Sequence, residues 1–369
     1  MKILILFIAL LSFQCSFAQS YEQLMDLASA QIKSQKYRDA LSTLKKAFHQ
    51  QGDRGKYDYA NALVVALQCG KNDLAIAWLE EGVKLGLGDN EQELSYFKND
   101  SIFKPILANS SYKRILKHME FQIQERYKRD RIWQNEVAAN AISEKQAFYQ
   151  HAQAGFALYH VDQEGLEIPY LVFVPRGYHC NAPTRALFFF HGGVVSDTAA
   201  FTIDPQTRFE PIFTIGDSTN SIVIYPFQKG NPGWKNYKYM SAVISTILAD
   251  VKLRYFIDTD RIYLGGLSMG GNVSYQFAQE QQTDFRAFYA ISAKPKIAEV
   301  SHPIYSLHAK DDSLYRYDDL LKVRRKVKKQ QKKWMLKSVA KGGHGFMYLP
   351  MGEKSTLDFF RMMFNKEEE

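Results

Sequence analysis

Cysteine is scarce in this chain: 369 residues hold three, Cys15, Cys69 and Cys180. A disulfide framework is thereby excluded as the organising principle, leaving at most one bridge between Cys69 and Cys180 or two thiols. Metal-ligand spacing is missing as well. The nine histidines are scattered, with no H-E-x-x-H and no paired C-x-x-C, so neither a metal nor a cofactor is called for. Beyond the N-terminus no apolar run approaches the length of about 20 residues that a membrane-spanning helix needs. Zinc-finger, RNP and helix-turn-helix signatures are all lacking. The formal net charge of +8 and pI near 9.1 therefore indicate a mildly basic protein rather than a nucleic-acid binder. Part of that charge sits in one run, Lys322 to Lys333, whose Leu320, Leu321, Val323 and Val327 supply a buried stripe and leave the basic residues as a solvated helix face.

The first residues read as an export signal. Lys2 gives a positive start, Ile3 to Leu11 an unbroken apolar stretch, and Ser16-Phe17-Ala18 a small-x-small cleavage site, so residues 1–18 are expected to leave and the mature chain to begin at Gln19, in the periplasm or outside the cell. Lipid attachment at Cys15 is disfavoured because the bulky polar Gln14 precedes it.

Proline is nearly absent from Tyr21 to Ile142, where Pro105 stands alone, and the apolar spacing is helical: Leu24, Leu27, Ala28 and Ile32 on one face, Ala40, Leu44 and Ala47 on another. The second set recurs 35 residues later as Ala75, Leu79 and Gly82, small residues that let antiparallel helices approach closely. This part resembles two tetratricopeptide-like repeats. A degenerate third unit follows around Tyr96 to Met119, with Phe103 to Leu107 as a capping helix. Residues 19–150, helical repeats plus a charged connector, either bind a protein or peptide partner or act as a prop for the C-terminal part of the chain.

From residue 151 to 369 the pattern changes to short apolar strands alternating with helices. Pro169 to Val174, Ala186 to Phe190, Ser221 to Pro226, Ile262 to Gly265, Ala287 to Ile291, Pro303 to Leu307 and Trp334 to Ala340 are the strands; Met240 to Tyr255 and Glu353 to Phe364 are helices. Continuous apolar strands are those of a mostly parallel α/β sheet with both faces covered, whose ligands sit at the carboxyl ends of the strands.

The central stretch is Arg261-Ile262-Tyr263-Leu264-Gly265-Gly266-Leu267-Ser268-Met269-Gly270-Gly271. It contains G-x-S-x-G, a strand-to-helix turn that thrusts a serine hydroxyl out of a sheet, with glycines where Cβ atoms would collide. A serine nucleophile needs a base, and the base a carboxylate. His344, between Gly343 and Gly345, is the candidate base, with His308 as the alternative; Asp311 and Asp312 are the candidate acids. Two amides are needed for the oxyanion: Met269, after the nucleophile, and one from His191-Gly192-Gly193-Val194. Trp234, in Pro232-Gly233-Trp234, is either a stacking surface for substrate or a packing residue.

Residues 165–369 resemble the α/β-hydrolase superfamily, and within it the polyhydroxybutyrate-depolymerase-like and feruloyl-esterase-like proteins. Tyr170 to Pro175, His191-Gly192-Gly193, Asp260 to Gly271 and Gly343-His344-Gly345 carry the resemblance. It implies Ser268 as nucleophile and His344 as base. Through the pattern H-G-x-x-D, in which Ala309 here replaces the glycine, it implies Asp312 as acid rather than Asp311. Gly193, with Gly192 close behind, is the implied second oxyanion donor. The implied activity is cleavage of a small or polymer-linked carboxylic ester without a cofactor. A peptidase of the prolyl-oligopeptidase type and a non-catalytic repeat scaffold are the alternatives.

Overall fold

The computed structural model describes residues 20–368, except 51, 53, 143–152, 194–200, 202, 229–233, 235–236, 281–283, 298 and 328–332. Residues 1–18 with Cys15, Val194 and the Pro232-Gly233 pair lie outside the described residues. The chain divides into two compact units, one ending at Arg129 and the other running from Asp130 to the C-terminus. That division falls about twenty residues before the composition change near residue 150, because helical periodicity continues across it.

The first unit is helical. α1 (Tyr21–Lys33) pairs with α2 (Tyr37–Ala47) and α3 (Lys56–Gln68) with α4 (Asn72–Lys84); α5 (Glu91–Asn99), a 3₁₀ turn (Ser101–Ile106) and α6 (Ser110–Ala139) follow. Ser20 starts α1 with a capping box, its hydroxyl accepting from the Gln23 amide while the Gln23 side chain accepts from its own. Ala40, Leu44 and Ala47 of α2 and their counterparts Ala75 and Leu79 of α4 are fully buried. Gly82 belongs there for space, since a Cβ would press within 2.8 Å of Leu87. Leu27, expected on the buried face of α1, is 40% exposed instead, while Leu24 and Ala28 carry that contact. Phe103 is buried in the 3₁₀ turn that the sequence marked as a cap.

The second unit is an eight-stranded sheet in the order β1-β2-β4-β3-β5-β6-β7-β8. The strands are β1 (Gly155–Gln163), β2 (Leu166–Val174), β3 (Thr184–Phe190), β4 (Ile222–Pro226), β5 (Ile257–Leu267), β6 (Ala287–Ile291), β7 (Ile304–Ala309) and β8 (Trp334–Val339). β2 runs antiparallel to β1 and β4, and every pairing from β4 to β8 is parallel. Side chains alternate between faces as the pleat requires. Phe188, Ile224 and Leu264 pack under α8 (Tyr237–Arg254) and α9 (Met269–Gln279). Leu187, Phe189, Val223 and Tyr263 face the layer of α7 (Pro211–Ser218) and α11 (Pro350–Glu368), joined by Trp133 and Val137 from the end of α6. α10 (Tyr317–Lys326) buries Leu320 and leaves Lys322, Arg325 and Lys326 exposed, whereas Arg324 is half-buried and donates to Trp334 O at 3.1 Å; Val327, just beyond the helix, is buried too. The apolar run Ala186 to Phe190 of β3, and those of β4 and β6, are possible only because both faces are covered. Cys69 and Cys180 are free thiols.

Candidate active site

β5 ends at Leu267 and α9 begins at Met269, so the chain reverses within one residue, Ser268. That residue takes φ 55°, ψ −114°, a conformation that costs a non-glycine residue about 1–3 kcal/mol and persists only where the surroundings impose it. The surroundings are tight. A Cβ on Gly266 or Gly270 would collide with the carbonyl oxygen of Phe190, so these two glycines let β3 close directly against the turn. The Ser268 amide donates to Ile291 O at 2.9 Å, tying the turn to β6 as well.

Ser268 Oγ lies 2.9 Å from His344 Nε2, and His344 Nδ1 lies 2.8 Å from Asp312 Oδ2. The carboxylate can only accept, so Nδ1 carries the proton and Nε2 offers its lone pair to the serine hydroxyl. Asp312 is 3% exposed, its other oxygen accepting from the amides of Leu314 and Tyr315 at 2.9 and 2.8 Å. A buried carboxylate with three donors is the orienting group such an imidazole requires.

Its neighbour does something else. Asp311 accepts from the amides of Gly342 and Gly343 at 3.1 and 2.9 Å, and so fixes the loop that carries His344. Gly342 and Gly343 both have positive φ, the conformation that turns their amides toward it. His308 is buried, donates from Nε2 to Tyr315 O at 2.6 Å and stands 3.3 Å from Asp312, behind the carboxylate. Burial pushes its imidazole below the usual pKa and keeps it neutral. It supports the acid and does not reach the serine chain as a base.

The loop after β3 passes beside the serine: a Cβ on Gly192 would stand 3.2 Å from Ser268 Cβ, whereas Gly193, at φ 70°, has open space around it. The Met269 amide is the first of α9 and has no intrahelical acceptor. His191 latches this loop. Its Nδ1 donates to Gly192 O at 2.8 Å, its ring stacks on Tyr225, and burial lowers its pKa so that it stays uncharged. Of the two roles open to Trp234, the structure shows the packing one. It is 3% exposed, packs on Phe190 and His191, and donates its indole N–H to His191 O at 3.0 Å. It thereby holds the glycine loop, with one edge on a separate cavity of about 460 Å³ beyond Met269.

Ser268 and His344 open into a cavity of about 680 Å³. Its outer wall is the segment Asp204 to Glu210 together with Tyr348, none of which the sequence singled out. Asp130, at the end of α6, pins that wall by accepting from Gln206 Nε2 at 3.3 Å and Arg208 Nη2 at 2.8 Å. Among the described residues no cluster could hold a metal ion, and no helix is long and apolar enough to cross a membrane.

Residues 233–354 match the dienelactone hydrolase family. Over 158 residues the chain is 30% identical to a bifunctional acetylxylan esterase/xylanase, XynS20E, of Neocallimastix patriciarum, covering 40% of this chain and 22% of that protein. Over 131 residues it is 27% identical to a probable feruloyl esterase C of Aspergillus terreus, covering 33% of this chain and 45% of that one. The chain thus spans less than half the length of these curated relatives. A solved thermostable esterase superposes with a TM-score of 0.44 at 23% identity, over 57% of this chain and 62% of that one.

Proposed function

We propose that this chain, whose residues 233–354 match the dienelactone hydrolase family, is a serine hydrolase that cleaves carboxylic esters through an acyl-serine intermediate. The observation that carries the reading is the unbroken hydrogen-bond chain from Ser268 through His344 to buried Asp312, opening into a cavity. Ser268 Oγ attacks the ester carbonyl carbon as its proton passes to His344 Nε2, and Asp312 steadies the imidazolium. The oxyanion is held by the Met269 amide and one from Gly193 or Gly192. Collapse expels the alcohol, which takes the proton from His344. Water then attacks the acyl-serine with His344 again as base, releasing the acid and restoring the serine.

The test is labelling of the purified protein with a fluorophosphonate probe beside Ser268→Ala. Labelling and ester turnover are expected in the parent and absent in the variant, with turnover falling on the order of a million-fold. A folded parent that fails to label would overturn the reading. The same proposal takes residues 1–18 as an export signal. N-terminal sequencing of the protein from the extracytoplasmic fraction should then begin at Gln19; an intact Met1 there would reject export by cleavage.

A further inference from the structure

The wall of the Ser268 cavity carries charge of one sign. Glu210 and Asp204 contribute carboxylates, and among the described lining residues there is no lysine or arginine. Asp204 is exposed and uses one oxygen to cap the turn at Gln206, so its charge is spread toward solvent. Glu210 is different. It is half-buried at the start of α7, accepts from the Tyr348 hydroxyl at 2.9 Å, and has no cation within ion-pair distance among the described residues. Tyr225, buried behind it, offers no compensating charge.

A half-buried carboxylate held by one hydroxyl retains unused lone pairs. On the wall of a half-open cavity its field is screened less than on a flat surface, so a second negative charge there meets repulsion that solvent cancels only in part. A hydroxyl or ammonium group placed there supplies the donor that the carboxylate lacks.

We infer that Glu210 is a specificity-determining residue of this site: the group of the ester that occupies the cavity is uncharged or cationic and donates a hydrogen bond to Glu210, and esters carrying a negative charge at that end are rejected. The inference rests on the serine-hydrolase reading above. It goes beyond it by naming the charge class of the substrate and the side chain that selects it.

The experiment compares kcat/KM for two series of chromogenic or coupled-assay esters, one charged on the acyl side and one on the alcohol side, each with an anionic carboxylate, a neutral hydroxyl and a cationic trimethylammonium member. The parent protein and Glu210→Gln, Glu210→Asp and Tyr348→Phe are assayed at low and high salt. In one series the parent should prefer the cationic or hydroxyl member over the anionic one by about tenfold or more, and that series identifies which end of the ester occupies the cavity. Glu210→Gln should shrink the ratio to about threefold or less, Glu210→Asp and Tyr348→Phe, which keep the carboxylate, should retain its direction, and added salt should weaken it in every form except Glu210→Gln. The ratio cancels any difference in the amount of folded enzyme, so a variant that folds poorly still reports.

A parent ratio near one in both series, or one that Glu210→Gln leaves unchanged, would overturn the inference while fluorophosphonate labelling of Ser268 left the serine-hydrolase reading standing. Loss of labelling as well would remove both.

Discussion

Among the described residues, and leaving tyrosine and tryptophan aside, the helical unit buries one polar side chain, Thr43, while the sheet unit buries Asp130, Arg254, His308 and Asp312 together with several serine and threonine hydroxyls. The apolar part of the two interiors is built alike, from side chains at helical or strand spacing. What differs is the polar content. Burying a charge costs several kcal/mol unless hydrogen bonds answer it, so such groups mark places where something other than packing sets the sequence. Asp130 and Arg254 answer with fixed partners, Arg208 and Asp250, and hold loops and helices in place. Asp312 answers with His344, and the strained Ser268 stands at the end of that chain. The helical unit stores nothing comparable. Its one non-glycine residue at positive φ among the described residues, Gln35, closes the turn between α1 and α2.

The sharpest way to break this contrast lies within the sheet unit, between adjacent aspartates. Asp312→Asn should lower kcat by about 10⁴, because an amide opposite Nδ1 favours the wrong imidazole tautomer, with little change in Tm. Asp311→Asn removes a loop anchor rather than the orienting acid. Activity should fall about tenfold to a hundredfold, with a loosened 341–345 loop visible as faster amide exchange at Gly342 and Gly343. Equal losses from the two variants would erase the division of labour between them.

The other side of the comparison is tested in the helical unit. Leu79 is fully buried in α4. Leu79→Ala should cost about 2–5 kcal/mol in the unfolding of that unit. Followed by denaturant and by ester turnover in the same samples, the variant should show an early transition with kcat/KM unchanged before it. Turnover that falls with the first transition would mean that the helices take part in catalysis.

How far the sequence went divides along the same line. The elbow was legible because its glycines are a steric necessity: Gly266 and Gly270 face Phe190 O, and no other residue fits. The apolar runs of β3, β4 and β6 were legible because burial on both faces leaves no polar position. β1 was not read, since it is an edge strand whose His160 and Asp162 interrupt the apolar run. The cavity wall was not read either. Glu210 and Tyr348 lie 138 residues apart and meet through tertiary folding, with no local spacing to announce them. Asp311 and Asp312 are the middle case. Both were visible as candidates, but which one faces His344 depends on the turn after β7, where the Asp312 amide donates to Ala309 O at 3.3 Å. Trp234 stayed open between two roles because an indole near an active-site edge suits stacking and packing equally until its N–H partner is known.

The smallest expected effect concerns stability alone and returns to the carboxylate of the cavity wall. Burial, with Asp204 nearby adding to it, pushes the Glu210 carboxyl above its usual pKa, and the Tyr348 hydrogen bond opposes this only in part. The groups facing it are Asp204, Tyr225 and Tyr348, none of them cationic. Between the unfolded value near 4.5 and the raised native value, the folded protein holds more protons than the unfolded chain, so stability falls as pH rises through that window. Above it the cost of the buried charge is present in full; below the unfolded value both states are protonated and the cost vanishes. Glu210→Gln removes the charge at every pH. Its Tm should therefore exceed that of the parent by on the order of 1–3 °C at pH 8, and the difference should close as pH falls below about 4. A difference that grew toward acid would mean that the carboxylate is stabilised in the fold by a donor or cation, and the wall would then be a poor repeller of anionic esters.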